Sequence, residues 1–301
     1  MMKQPIKNWV IATRPWSFPA STMPALLTIS YLFSKQDYLF HDINWWFGVL
    51  ALIGVIFVHA AGNLISDYFD FKHLIDRKES YGSSRMLVDG IFQPKTILIF
   101  GLVLLAIGIG FGLVLTAFSG SDLLWIGLIG VLGTYFYYIF KSIALGDLLI
   151  FIIYGPLIGI GTAYVMTSEL YWEVLLLNVP VAMLVVNILH ANNTRDMKHD
   201  AMANIKTQAM LLGVKGSKIQ YVVLALGAYI VLIFMNAIGM VHPITLLTLL
   251  TVPVALKNIR VIMKADVEKP ELIKDLDGMS AQLVMMFALL FSILNFISVL
   301  L

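Results

Sequence analysis

Long apolar runs alternate with short polar stretches along this chain, and run length predicts helices rather than strands. Nine runs fall at about 18–36, 45–65, 96–117, 122–140, 147–167, 172–191, 219–240, 243–258 and 281–301. Each is close to the ~20 residues a helix needs to cross the hydrocarbon core of a bilayer. The eighth is the shortest. The expected fold is an all-α integral membrane protein of nine transmembrane helices, forming one domain over residues 1–301. The longest polar segments, about 66–95, 192–218 and 257–280, are expected to form a cap of loops and short helices over one membrane face.

Composition agrees with this reading. The chain is 59% hydrophobic and 13% charged, with a mean hydropathy of +0.88, whereas a soluble domain carries roughly 25% charged residues. Nine crossings place 19 of the 20 Lys+Arg on one side of the membrane and leave only Lys35 on the other. The positive-inside rule then makes the lysine-rich side cytoplasmic, with the N-terminus in and the C-terminus out of a multi-pass cell-membrane protein. The first run lacks the basic lead and small-residue cleavage site of a signal peptide, so it reads as a span. The sequence has no cysteine, which excludes disulfides and thiol catalysis. A net charge of +2 gives no case for a nucleic-acid partner. The partner implied is the lipid bilayer, whose anionic headgroups suit a basic face.

Two acidic clusters interrupt the apolar pattern. The first contains Asn63, Ser66, Asp67 and Asp70 and is followed by Asp76; the second contains Asn192, Asn193, Arg195, Asp196 and Asp200. Each ends an apolar run, where a carboxylate is costly unless a cation offsets it. On a helix, Asn63, Asp67 and Asp70 share one face at i, i+4 and i+7, and Asn192, Asp196 and Asp200 do the same at i, i+4 and i+8. Two such stripes offer the hard oxygen ligands that suit Mg²⁺, a cation usually shared with substrate phosphates. Arg85, Lys141, Arg195, Lys198 and Lys206 lie nearby. Carboxylates among cations point to a metal–diphosphate site, and hydrocarbon beside it points to an isoprenoid tail. Tyr68, Phe69, Tyr135, Tyr137 and Tyr138 are placed to stabilise an allylic cation or, equally, to pack at the interface. Asp76, Glu79 and Asp89, taken singly, also read as solvated loop charges. The shared spacing of Asn63-x3-Asp67 and Asn192-x3-Asp196 hints at an internal duplication.

At these residues the chain resembles the UbiA superfamily of intramembrane aromatic prenyltransferases. It is most similar to the menaquinone branch, the 1,4-dihydroxy-2-naphthoate polyprenyltransferases and their vertebrate vitamin K₂ relatives. The resemblance runs from Arg14-Pro15 to about Gly213. It rests on Ser66-Asp67-x-x-Asp70 with Asp76, on Gly82-Ser83-Ser84-Arg85-Met86-Leu87-Val88-Asp89-Gly90, on Tyr138-x-x-Lys141 with Leu145-Gly146-Asp147 and Gly155-Pro156, and on Ile188-Leu189-His190-Ala191-Asn192-Asn193-Thr194-Arg195-Asp196-x3-Asp200. The last string is the most specific. Ser66 stands where the family has Asn, and Leu74 stands where the wider family has its third Asp.

The resemblance implies a UbiA-type bundle around a central cavity. It implies Mg²⁺ on Asp67, Asp70, Asp196 and Asp200, which would be the catalytic residues. It also implies a diphosphate contacted by Asn63, Ser66, Asp76, Arg85, Lys141, Asn192, Asn193, Arg195 and Lys206. The reaction implied moves a polyprenyl group from polyprenyl diphosphate to an aromatic acceptor. With dihydroxynaphthoate as that acceptor, CO₂ is lost and a demethylmenaquinone forms. The rival readings are another acceptor (4-hydroxybenzoate, homogentisate, haem or a glycerophosphate) and a cation-coupled transporter. Arg14-Pro15 reads either as a membrane-entry turn or as part of the site. His190 reads either as a packed, hydrogen-bonded histidine or as a neighbour of the ring substrate, and Gly155-Pro156 as a helix break.

Overall fold

The computed structural model describes residues 4–39, 43–75, 83–203 and 205–301, and among these no β-strand occurs. A short helix α1 (Ile6–Ala12) and one 3₁₀ turn (Pro15–Ser17) lead into α2 (Pro19–Leu39). The bundle continues through α3 (Trp45–Lys72), α4 (Pro94–Ser119), α5 (Asp122–Tyr135), α6 (Tyr137–Ser142), α7 (Gly146–Ile152) and α8 (Ile158–Thr167). It closes with α9 (Glu173–Arg195), α10 (Met197–Met202), α11 (Gln208–Ala237), α12 (Val252–Ile262) and α13 (Leu276–Ser298).

Among the described residues, seven helical stretches are long and apolar enough to cross a membrane: α3, α4, Gly146–Thr167, α9, α11, Pro243–Ile262 and Pro270–Ser298. Two of the nine expected runs fall short of that standard. Helix α2 is 21 residues long but is diluted by Ser21, Thr22, Thr28, Ser30 and Ser34. The run expected over 122–140 breaks at Phe136, leaving α5 with 14 residues. Both still pack into the bundle, α2 against α13 and α5 against α4.

Close helix approach sets the packing. α3 lies mainly on α4, where a Cβ at Gly108 would sit 2.6 Å from Val58 Cγ2. Small residues at such crossings let backbones come together where lipid supplies no hydrophobic drive. α9 is the central helix. It contacts α11 and α13 and buries Val174, Leu177, Val181, Leu184 and Val185. Between α7 and α8 the chain makes a π turn over Ile153–Leu157, with Tyr154 at φ −87°, ψ 26° and Pro156 inside. Proline removes a ladder hydrogen bond, and an inserted π turn bends the axis.

One end of the bundle is polar and cross-tied. The Lys206 amide donates to the Ser142 carbonyl (3.2 Å), Arg195 Nη1 donates to the Lys274 carbonyl (3.1 Å), and Lys198 pairs with Glu268 (2.6 Å). These bonds join the α6–α7, α10–α11 and α12–α13 connections into one layer.

Gly155 sits where the π turn meets α9. A Cβ there would fall 3.1 Å from the Asn178 carbonyl and would collide with Ala182 Cβ. A backbone carbonyl cannot swing aside, so Gly155→Val is expected to cost about 1–3 kcal/mol. Thermal unfolding in detergent should show a clear fall in Tm; an unchanged Tm would mean the crossing is looser than described.

Candidate active site

Helix α3 runs to Lys72, past the apolar limit near residue 65, so Asn63, Ser66, Asp67 and Asp70 all sit on its last turns. The second cluster is not on one unbroken helix as expected. α9 stops at Arg195, Asp196 adopts φ −94°, ψ 6°, and α10 begins at Met197. The Asp196 amide still bonds the Asn192 carbonyl and the Asp200 amide the Asp196 carbonyl, both at 2.9 Å. The i, i+4 stripe therefore survives the break.

The two stripes meet at a cavity of about 110 Å³. Ser66 and Asp70 line it from α3, Tyr137 and Lys141 from α6, and Asn192, Asn193, Arg195, Asp196 and Asp200 from α9 and α10; Arg14 and Ser83 complete the wall. Lys141 Nζ is 3.6 Å from Asp70 Oδ2, which also accepts from Ser66 Oγ at 3.3 Å. Burial pushes the Asp200 carboxyl up to about 6, and the nearby charges of Asp196 and Asp70 add to the shift, while Lys141 and Arg195 oppose it.

Several expected site residues are engaged elsewhere. Asp67 does not line the cavity; it is ion-paired to Arg14 and accepts from Ser84 Oγ (2.5 Å) and the Ser84 amide (3.3 Å). Asn63 donates from Nδ2 to the Thr13 carbonyl and to Ser17 Oγ, both at 2.9 Å, so its amide secures the N-terminal segment. Asn193 lies on the cavity wall but donates to Asp147 Oδ1 at 3.3 Å. Arg195 is held by both Asp196 oxygens (2.9 and 2.8 Å) and by Asp277 (3.2 Å). Arg85 pairs at the surface with Asp89 (3.0 Å), and Lys206 is exposed. Asp76 and Glu79 lie outside the described residues. Of the five aromatics, only Tyr137 lines the cavity; Phe69 and Tyr138 instead stack on His73.

Two features go beyond what the spacing indicated. Arg14 adopts a left-handed backbone (φ 53°), a conformation costing a residue with a Cβ about 1–2 kcal/mol. Its clamp is Asn63 on Thr13 and Ser17, with His59 bonded to Ser17 Oγ (3.3 Å) and Ser21 Oγ (2.8 Å). The Arg-Pro pair was the only signal for it. The second feature is buried Asp147, which accepts from Gln220 (2.9 Å) and Asn193 and faces His190 Nδ1 at 2.8 Å. It ties the start of α7 to α9 and α11, just beyond the Lys141 turn.

Beside this polar site lies an apolar cavity of about 370 Å³ between α3, α4, α5 and the α7–α8 bend, with His59 and Tyr154 among its few polar walls. Ser17 Oγ bonds His59 of the apolar wall and donates to the carbonyl of Arg14 in the polar wall (2.8 Å), so the two spaces lie side by side. The donor set of the polar cavity fits a hard divalent cation. Asp70 Oδ1, Asn192 Oδ1 and Asp200 Oδ2 are buried without a hydrogen-bond partner, and all three are the oxygen type such ions take. Among the described residues no three His, Asp or Glu side chains yet converge at ligand distance.

Fold and site thus define an all-helical membrane protein whose oxygen- and cation-lined cavity borders an apolar one. The chain belongs to the UbiA prenyltransferase family, whose model matches residues 24–274. It is 36% identical over 260 residues to UbiA prenyltransferase domain-containing protein 1 of Xenopus tropicalis, covering 84% of this chain and 73% of that one. The human protein of the same name is 36% identical over 235 residues, covering 76% and 68%. In fold, a UbiA homologue from Aeropyrum pernix K1 superposes with a TM-score of 0.66 at 16% identity, over 88% of this chain and 94% of that one. A UbiA homologue from Archaeoglobus fulgidus bound to DMAPP and Mg²⁺ gives 0.61 at 14% identity, over 95% and 99%.

A raised Asp200 carboxyl makes cation binding pH-dependent with a definite sign. Protons compete for the carboxylate, so affinity for a divalent cation should fall as pH drops through about 6 and level off above it. Titration of Mn²⁺ with pyrophosphate between pH 5 and 8 should show that midpoint. Asp200→Asn should remove it; a midpoint near 4 in the unaltered protein would contradict the assignment.

Proposed function

We propose that this chain is a Mg²⁺-dependent polyprenyltransferase acting on 1,4-dihydroxy-2-naphthoate, with loss of CO₂ and formation of a demethylmenaquinone in its reduced, quinol form. One observation carries the reading: Asp70, Asp196, Asp200, Lys141 and Arg14 surround one cavity, and an apolar space of about 370 Å³ adjoins it. A diphosphate on a long hydrocarbon tail matches both halves. Family membership supports prenyl transfer over the transporter reading. The menaquinone branch rests on the strings around Arg85 and Asp196 and on the Asp70-to-Asp76 spacing.

In this reading Asp70, Asp196, Asp200 and Asn192 hold Mg²⁺, and Asp67 steadies the site through Arg14. Bound there, the ion would offset charge on the departing diphosphate. Lys141 and Arg14 donate charge-assisted hydrogen bonds to the same group. Ser83 lines the cavity two residues from Arg85, and Lys206 bonds Ser142 beside Lys141. In this reading both cations add to the grip on the diphosphate. The ring of Tyr137, which lines the cavity, would stabilise the allylic cation as the bond to diphosphate breaks. The acceptor ring then forms the new carbon–carbon bond, and its carboxyl leaves as CO₂. The chain crosses the cell membrane nine times, α2 and α5 included, with the site toward the cytoplasm, as the charge bias of 19 to 1 indicates.

Purified protein given Mg²⁺, geranylgeranyl diphosphate and a panel of aromatic acceptors should prenylate dihydroxynaphthoate and release CO₂. Transfer to 4-hydroxybenzoate or homogentisate instead would overturn the branch. Asp196→Asn, which removes one charged oxygen from the site, should lower kcat by at least about a hundredfold. Turnover near the unaltered rate would remove Asp196 from the chemistry.

A further inference from the structure

We propose that Arg14 and Lys141 compete with a divalent cation for the cluster carboxylates, so that cation and diphosphate bind as one unit and neither binds well alone. This rests on the prenyltransferase reading above. It concerns how the ligands enter, which that reading leaves open.

Three of the four cluster acids already have a base. Asp67 is paired with Arg14, Asp70 with Lys141 (3.6 Å) and Asp196 with Arg195 (2.8 Å). Only Asp200 has no cation within 4 Å among the described residues. Among the described residues these bases offset much of the cluster's negative charge. A weak net charge gives a lone Mg²⁺, which sheds its waters reluctantly, little reason to enter.

The position of Lys141 sharpens the competition. Its ammonium pairs with Asp70 of α3 (3.6 Å) and lines the same cavity of about 110 Å³ as Asn192 and Asp200. A cation entering so small a space competes with that ammonium for Asp70. Meanwhile Asp70 Oδ1, Asn192 Oδ1 and Asp200 Oδ2 are buried without partners, so oxygen ligands stand ready in the same cavity.

A diphosphate changes both terms. It offers Arg14 and Lys141 stronger, charge-assisted partners than a single carboxylate oxygen. Once they turn to it, Asp70 would be free to hold the cation, while Ser84 still holds Asp67. Arg195 does not take part, because Asp196, Asp277 and the Lys274 carbonyl hold its guanidinium together. The coupling is reciprocal: cation and diphosphate must raise each other's affinity by the same factor. A benefit follows for chemistry at a lipid border. Charge enters the site already neutralised, and the carboxylates are not left bare after product leaves.

The test measures binding of Mn²⁺ alone, pyrophosphate alone and both together, by calorimetry and by the Mn²⁺ spin signal, without turnover. The unaltered protein should bind Mn²⁺ at least about tenfold tighter with pyrophosphate than without. Lys141→Met should bind Mn²⁺ alone about tenfold tighter than the unaltered protein, while its coupling to pyrophosphate shrinks. Adding Asp70→Asn to that variant should cancel the gain. Arg14→Gln supplies an independent variant with the same expected sign, should Lys141→Met fail to fold by its unfolding profile. Tight Mn²⁺ binding to the unaltered protein without pyrophosphate would overturn the proposal. So would Mn²⁺ affinity unchanged or weakened in the variants. If the unaltered protein bound Mn²⁺ and pyrophosphate in no combination, the prenyltransferase reading would fall with it.

Discussion

A carboxylate at the edge of hydrocarbon must be neutralised, and the polar end of this bundle is built on that constraint. Asp67, Asp70 and Asp196 each sit against a guanidinium or ammonium contributed by a different part of the chain. Arg14 comes from the segment before α2, Lys141 from the end of α6, and Arg195 from the end of α9. Breaking a buried pair by removing one partner costs roughly 3–5 kcal/mol. The pairs therefore anchor these segments as well as supplying chemistry. The Arg14–Asp67 and Lys141–Asp70 pairs gather residues distant in sequence, and Arg195, adjacent to Asp196 in the chain, reaches across through Asp277.

A second layer holds the first. Asn63 and His59 tie down the turn that carries Arg14, and Ser84 caps Asp67 from the loop beyond α3. Asp147 gathers Asn193, Gln220 and His190 behind the cavity and so fixes the spacing between the Lys141 turn and the second cluster. Gly146 allows this approach, since a Cβ there would lie 3.2 Å from Lys141 Cα. These residues act on the reacting groups through others. Left-handed backbone at Arg14, Ser83 and Arg85 lies in the same layer, where surrounding bonds over-determine the strained conformation.

The apolar half of the site depends on a defect in a helix. The π turn at Ile153–Leu157 bends α7 away from α8 and presents Tyr154 to the space beside α3, α4 and α5. Gly155 and Gly159 let this bend press on α9. Tyr137 lines the polar space and Tyr154 the apolar one; in the proposed reading the first would take a headgroup and the second a tail.

The sequence by itself determined the helical class, the approximate limits of each run and the two acidic stripes, because hydrophobic run length and i, i+4 spacing are local properties. Its nine runs all became helices, although α2 and α5 fall short in apolarity or length for a span by themselves. Only the tertiary structure decided which members of the stripes face the cavity. Asn63 and Asn192 hold the same place in their motifs, yet Asn63 secures the N-terminal segment while Asn192 leaves a buried oxygen free at the cavity. Asp67 and Asp70 share a helix face, yet Arg14 draws the first away and Lys141 keeps the second in. Spacing tells which residues share a face. What that face meets depends on segments tens of residues away, and pairing between distant charges is settled only when the bundle closes.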